Sequence, residues 1–244
     1  MILFEGLGMT KRYRVYRYFN IMKSVTTCMH KLEIEVGRDL FKKNKEEADQ
    51  NLMLLRQHNV RAFDIMGSIG SGKTSIIERV VPLLKQKGLQ VGAVAGDVVG
   101  EDDYVRMRAL DIPVINLNTG TECHLDAHLV RHAIERLPLN ELDILFIENV
   151  GNMVCPTDFE LGTDARIVIV SVTEGDDVVN KHPMIFRVSD LGVINKIDLA
   201  EAVEASVSRM VNDMSKIAPY MKHILMSVKT GQGIREFADE LLKY

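Results

Sequence analysis

Cysteine is scarce: 244 residues hold 3, at Cys28, Cys123 and Cys155. An odd, sparse set excludes a disulfide framework. In a chain patterned as alternating strands and helices it points to a reducing cytosol, where thiols act as ligands or nucleophiles. Long apolar runs are also lacking. No stretch approaches the roughly 20 residues needed to cross a bilayer, so no membrane partner is expected. An excess of positive charge is missing too: the net charge of −4 argues against a general nucleic-acid binder, which would be basic. There is no internal repeat and no low-complexity segment. What is there is a 46% hydrophobic, 26% charged composition, that of a globular chain long enough to bury a substantial core.

Residues 1–28 stand apart, with Lys11, Arg12, Arg14, Arg17 and Lys23 against the single acid Glu5. A basic leader can be a targeting peptide, but no clean apolar core with a small-residue cleavage site follows. The expectation is a disordered or mis-assigned extension, with Met29 as the natural start. Residues 29–59 read as a helical segment. From Arg38 to His58 a charged run is interleaved with Leu40, Phe41, Ala48, Leu52, Met53 and Leu55 at helical spacing, which predicts an amphipathic helix lying on the main domain or docking a partner.

Residues 60–244 read as a nucleotide domain. An apolar run ends in Gly67-Ser-Ile-Gly70-Ser71-Gly72-Lys73-Thr74, the pattern of a strand, a phosphate loop and a helix. Glycines allow consecutive N–H groups to turn inward around a polyphosphate at a helix N-terminus. Lys73 would reach the β- and γ-phosphates and the Thr74 hydroxyl would hold Mg²⁺. The candidate loop contacts are Gly67, Ser68, Gly70, Ser71, Gly72, Lys73, Thr74 and Ser75. The spacing predicts a helix over Thr74–Gln86 despite Pro82, with Gly88 behind it. Further short apolar runs are Leu89–Ala95, Pro113–Leu117, Leu142–Ile147, Arg166–Ser171, Leu191–Ile194 and His223–Met226, and helix-patterned stretches include Leu125–Leu137, Ala200–Ile217 and Ile234–Leu242. The fold class is therefore α/β: a three-layer, mostly parallel sheet with helices on both faces, as in P-loop NTPases.

Glu148 ends the run Ile144–Ile147 and precedes Asn149-Val-Gly151, where a metal-binding acid and a γ-phosphate-sensing glycine would sit. Asp97 ends the neighbouring strand and could bind Mg²⁺ or orient water. Which acid touches the metal is left open. Lys73, Asp97 and Glu148 are the candidate catalytic residues. Asn195-Lys196-Ile197-Asp198 selects the base, because a carboxylate at Asp198 can accept both N1–H and N2–H₂ of guanine, whereas adenine would leave it unpaired. Ser227 and Lys229 follow as a plausible last base-contacting loop. GTP is favoured over ATP.

A second chemistry lies in Glu122-Cys123-His124-Leu-Asp-Ala-His128-Leu-Val-Arg-His132. Histidines four apart would line one face of a helix, so His124, His128 and His132 are expected to form one stripe. Cys123 beside His124, together with Cys155, offers thiolate and imidazole, which suit Zn²⁺ or Ni²⁺ rather than Ca²⁺ or Mg²⁺. Two copies meeting across a two-fold axis would offer enough donors to close a site.

The combination GSIGSGKT, GDV, NTGTECHLDAHLV, ENVGNMVCP, TEGDD…KHP and NKIDLA resembles the nickel-insertion GTPase of nickel–iron hydrogenase maturation, the HypB family, over residues 35–244. The resemblance implies a GTPase of the signal-recognition-particle and MinD class that forms a homodimer with GTP and carries metal at the dimer interface. It places the interface ligands on Cys123, His124 and Cys155, with His128 as a further candidate, and the guanine contacts on Asn195, Lys196 and Asp198. It implies as partners a small zinc-containing nickel chaperone and the hydrogenase large subunit precursor. Some members carry an N-terminal Cys-rich nickel site or a histidine-rich tract. This sequence has neither, so no nickel storage is expected. A related GTPase serving urease or a cobalamin enzyme is the alternative; in the urease relative a Cys-Pro-His motif is expected, whereas here Cys-His and Cys-Pro occur apart. A small-molecule kinase and a non-hydrolysing metal-binding module are the more distant readings.

Overall fold

A computed structural model describes residues 31–244, with side chains from Asp39 onward; the expectations for residues 1–28, Cys28 included, lie outside the described residues. Phe41–Tyr244 form the larger of two compact units. The larger unit is built on seven parallel strands: β1 (Arg61–Met66), β2 (Val91–Asp97), β3 (Val114–Asn118), β4 (Ile144–Glu148), β5 (Ala165–Ser171), β6 (Leu191–Asn195) and β7 (Lys222–Leu225). Their order is β3-β2-β4-β1-β5-β6-β7. β1, which feeds the phosphate loop, lies central, with Asp64 opposite Ile147 of β4 and Arg166 of β5.

Both faces are covered, as near-continuous apolar strands demand. On one face α2 (Lys73–Gln86) and α8 (Ile234–Leu241) pack Ile76, Val80, Leu84, Phe237 and Leu241 onto Phe63, Ile65 and Phe146. The other face carries two separate apolar clusters. One joins Leu55 of α1 (Lys31–Gln57) and Val130 of α4 (Ala127–Ile134) to Ala62 and Leu145. The second joins Val179 of α5 (Val178–Lys181), Phe186 of α6 (Pro183–Val188) and Met214 of α7 (Val207–Ile217) to Met66 and Val168. α3 (Asp102–Arg108) lies beside the start of α2. Among the described residues no helix is long and apolar enough to cross a membrane.

Three sequence expectations are corrected. The inward stripe of α1 is Asn44, Ala48, Asn51 and Leu55, while Leu40, Phe41 and Met53 are exposed. Polar contacts win there: Asn51 Nδ2 donates to the Ala127 and Leu161 carbonyls at 2.8 and 3.0 Å, and Asn44 spans Ala127 N and Glu160 O. α4 begins at Ala127 rather than Leu125, because the Asp126 carboxylate accepts from Leu129 N at 2.7 Å and caps it. α7 begins at Val207, behind Ser206 as its cap and Glu204 in a left-handed conformation.

Candidate nucleotide and metal site

The phosphate loop leaves β1 through Gly67, at φ +143°, where a Cβ would stand 2.2 Å from the Ile169 carbonyl oxygen of the neighbouring strand. Only glycine passes that point. Gly72, at φ +102°, opens α2, and a Cβ there would stand 2.3 Å from Asn195 Nδ2. Lys73 is folded over the loop and donates from Nζ to the Gly67 and Ser68 carbonyls, both at 3.2 Å. The Ser68 and Ser71 hydroxyls are buried without a hydrogen-bond partner. Ser75 accepts from Arg106 at 2.8 Å, and the same guanidinium pairs with Glu78 at 2.7 Å.

Behind the loop stands an oxygen-rich corner. The Thr74 hydroxyl lies 2.6 Å from Asp103 Oδ1 and 2.9 Å from Glu148 Oε1, and Lys73 Nζ is 3.9 Å from the same Glu148 oxygen. Burial pushes the Glu148 carboxyl up to about 7, against the pull of Lys73 and with a further push from Asp103. Its second oxygen is buried and unpartnered. Two carboxylates and a hydroxyl are the hard donors that Mg²⁺ takes, so the corner fits that ion. Asp103 was not foreseen: it follows Asp97 by six residues, in an acidic run that gave no reason to prefer one member. Asp97 itself makes local contacts, accepting from Val98 N at 2.6 Å.

At the candidate base-reading end, Asn195 Nδ2 donates to the Ser71 carbonyl at 2.9 Å and Lys196 Nζ to the Gly70 carbonyl at 2.6 Å. Both side chains thus tie the β6 loop to the phosphate loop. Asp198 is held by Ser227, whose hydroxyl donates to Oδ1 at 2.5 Å. Lys229 is exposed on the same loop.

Cys123, His124 and Cys155 come together from segments 32 residues apart, their ligand atoms all within 4.8 Å of one another. The sulfurs are 2.9 Å apart, and their hydrogen bond, then partial burial, raises the Cys155 thiol above its ordinary value. His124 stacks on Phe159 with centroids 4.0 Å apart, and its Nδ1 is buried without a partner. Two soft sulfurs and a free imidazole nitrogen are what Ni²⁺ or Zn²⁺ takes. The single histidine stripe is not formed, since His124 precedes the capped helix. His128 and His132 do share a face, with Nε2 atoms 3.2 Å apart, and His128 Nδ1 lies 3.1 Å from Glu47.

The chain between Glu148 and Cys155 lies on the phosphate loop. Gly67 and Asn152 form a β-bridge, and a Cβ on Gly151 would stand 3.0 Å from Ile69 N. One short segment therefore has the acid at its start, the phosphate loop along its side and the thiol at its end.

A family model described as CobW/HypB/UreG, nucleotide-binding domain, matches residues 62–224. The chain is 51% identical over 213 residues to the probable hydrogenase maturation factor HypB of Methanocaldococcus jannaschii, covering 86% of this chain and 96% of that one. The crystal structure of HypB from Archaeoglobus fulgidus matches at 50% identity with a TM-score of 0.78, over 83% of this chain and 98% of that one. That of HypB from Helicobacter pylori in complex with nickel matches at 34% identity and a TM-score of 0.78, over 82% and 94%. With the phosphate loop, the parallel sheet and these likenesses in one chain, the protein belongs to the CobW/HypB/UreG family of P-loop nucleotide-binding proteins and is a homologue of hydrogenase maturation factor HypB.

Proposed function

We propose that this protein is a GTP-hydrolysing metallochaperone of the cytoplasm that pairs with a second copy when GTP is bound and delivers Ni²⁺ to the precursor of the nickel–iron hydrogenase large subunit. The reading rests above all on one observation: the segment from Glu148 to Cys155 meets the phosphate loop at Gly151 and Asn152 and ends in the sulfur–imidazole cluster. Whatever the γ-phosphate does to that segment is felt at Cys155.

In this mechanism Lys73 leaves the Gly67 and Ser68 carbonyls for the β- and γ-phosphate oxygens, and the loop N–H groups cradle the remaining charge. Thr74, Glu148 and Asp103 would hold Mg²⁺, which when bound would neutralise phosphate charge. Asp97 or Glu148 orients the attacking water. Asp198, fixed by Ser227, accepts the guanine N–H groups. Two thiolates and one imidazole leave a four-coordinate cation short of a donor, and a second copy completes the shell. His128, whose Nε2 lies 3.2 Å from that of His132, is the further candidate ligand. Hydrolysis then lets the Glu148–Cys155 segment relax, and the cargo passes on. A small zinc-containing chaperone is the expected source of nickel. Another metal enzyme could be the client, but the separate Cys-His and Cys-Pro steps favour hydrogenase.

Titrating Ni²⁺ with and without a non-hydrolysable GTP analogue, while recording molar mass, tests the reading. The analogue should double the mass and change nickel affinity. Unchanged mass and affinity would overturn it. Turnover of ATP in preference to GTP would overturn the assignment of the base.

A further inference from the structure

We propose that Asp64, Asn149 and Arg166 are positioning residues for the Cys123–His124–Cys155 cluster, a buried polar bridge that fastens both ligand-bearing segments to the strand entering the phosphate loop. The inference rests on the metal reading above and goes beyond it by assigning these three side chains a role.

Asp64 and Arg166 face each other across the β1–β5 pair, on the sheet face where the two apolar clusters meet. Both are buried, at 0% and 3% exposure, and Arg166 Nε is 3.5 Å from Asp64 Oδ2. A buried ion pair is a poor device for stability. Its desolvation cost is large, and well-packed apolar residues at the same positions are often as stable or more so. What this pair does differently from two aliphatic side chains is hold other groups.

The Arg166 guanidinium donates to the carbonyls of Pro156 and Thr157, the two residues after Cys155, and lies 3.3 Å from the sulfur of Met66, the residue before Gly67. Asp64 Oδ1 accepts from Asn149 Nδ2 at 3.1 Å. The Asn149 Oδ1 in turn accepts from Leu125 N at 3.1 Å and Val150 N at 3.0 Å. Leu125 is the residue after His124. Each ligand segment is thus gripped one residue past its ligand, and both grips converge on Asp64. Burial raises the Asp64 carboxyl, against the opposing pull of Arg166 and Asn149, so its charge depends on those two partners. Such outer contacts orient metal ligands, and losing one typically costs about 10- to 100-fold in metal affinity.

The test is the paired variant Asp64→Asn with Arg166→Met, which neutralises both buried charges, keeps an acceptor for Asn149 and releases the Pro156 and Thr157 carbonyls. Nickel affinity of the nucleotide-free protein should fall about tenfold or more. At saturating Ni²⁺ the thiolate-to-nickel absorption band should shift, while GTP affinity stays within about twofold and thermal unfolding remains a single transition. Arg166→Lys, which keeps the charge and one donor, should recover part of the loss. If the paired variant does not fold, Asn149→Ser carries the test, with the same loss of nickel affinity expected. Wild-type nickel affinity and an unshifted band in a folded variant would overturn the inference while leaving the metal reading standing. A wild-type protein that binds no nickel would overturn both.

Discussion

The proposed base-reading end and the proposed metal end of this molecule are held in contrasting ways. Asn195, Lys196 and Asp198 lie within four residues of one loop, tied directly to the phosphate loop and to Ser227. Cys123, His124 and Cys155 come from two segments, are half-buried, and rely on residues remote in sequence for their placement. The first is assembled as soon as β6 and the phosphate loop are side by side. The second depends on several buried partners at once, and one of its segments lies against the phosphate loop. A region held redundantly reads a ligand, whereas one held through a shared segment can respond to it.

Four variants break or sharpen this contrast. The largest effect is expected for Cys123→Ala with Cys155→Ala, which should abolish tight Ni²⁺ or Zn²⁺ binding in calorimetry while guanine nucleotide affinity stays nearly intact. Next, Lys73→Ala should cut GTP hydrolysis by about 10²- to 10³-fold, the usual cost of removing one preorganised charge from a reacting centre, with metal binding to the nucleotide-free protein unaffected. Asp198→Asn should weaken GTP binding by about 10- to 100-fold, since hydrogen bonds to a charged acceptor are lost, again without touching metal affinity. Any loss of metal binding in that variant would mean the two ends are not separable.

The most local effect concerns pH. Glu148 is raised from 4.5 to about 7 by burial, so the folded protein holds its proton more tightly than the unfolded chain does. Its contribution to stability is full below about pH 4.5 and is lost as the pH rises through 7, a loss on the order of 3 kcal/mol at 1.36 kcal/mol per pKa unit. Chemical denaturation of nucleotide-free protein from pH 5 to 8 should show the decline, and Glu148→Gln should flatten it. A decline that persists in the variant would assign it to another group.

Much of the candidate site was legible because its chemistry is written in contiguous residues. The phosphate loop, the Asn195–Asp198 stretch and the Cys123-His124 step each carry their own meaning at fixed spacing. The limits appeared where distance in sequence mattered. Helical spacing placed His124 on a stripe with His128, yet the Asp126 cap excludes it from the helix. Apolar spacing turned Leu40, Phe41 and Met53 inward, yet Asn44 and Asn51 face the sheet because they satisfy buried backbone groups there. Asp103 was one acid among several until α3 brought it to the Thr74 hydroxyl. Asp64 and Arg166 were each anomalies, a charge inside an apolar strand, that a reading alert to buried charge could have flagged.

The sequence by itself determined the alternation of strands and helices and the phosphate cradle, since backbone freedom and apolar periodicity act over a few residues. Only the tertiary structure decided which acid meets Thr74, how two distant thiols and one imidazole converge, and what holds them there. Those outcomes depend on parallel register and on the pairing of buried polar groups, which link residues tens of positions apart and leave no local trace in the chain.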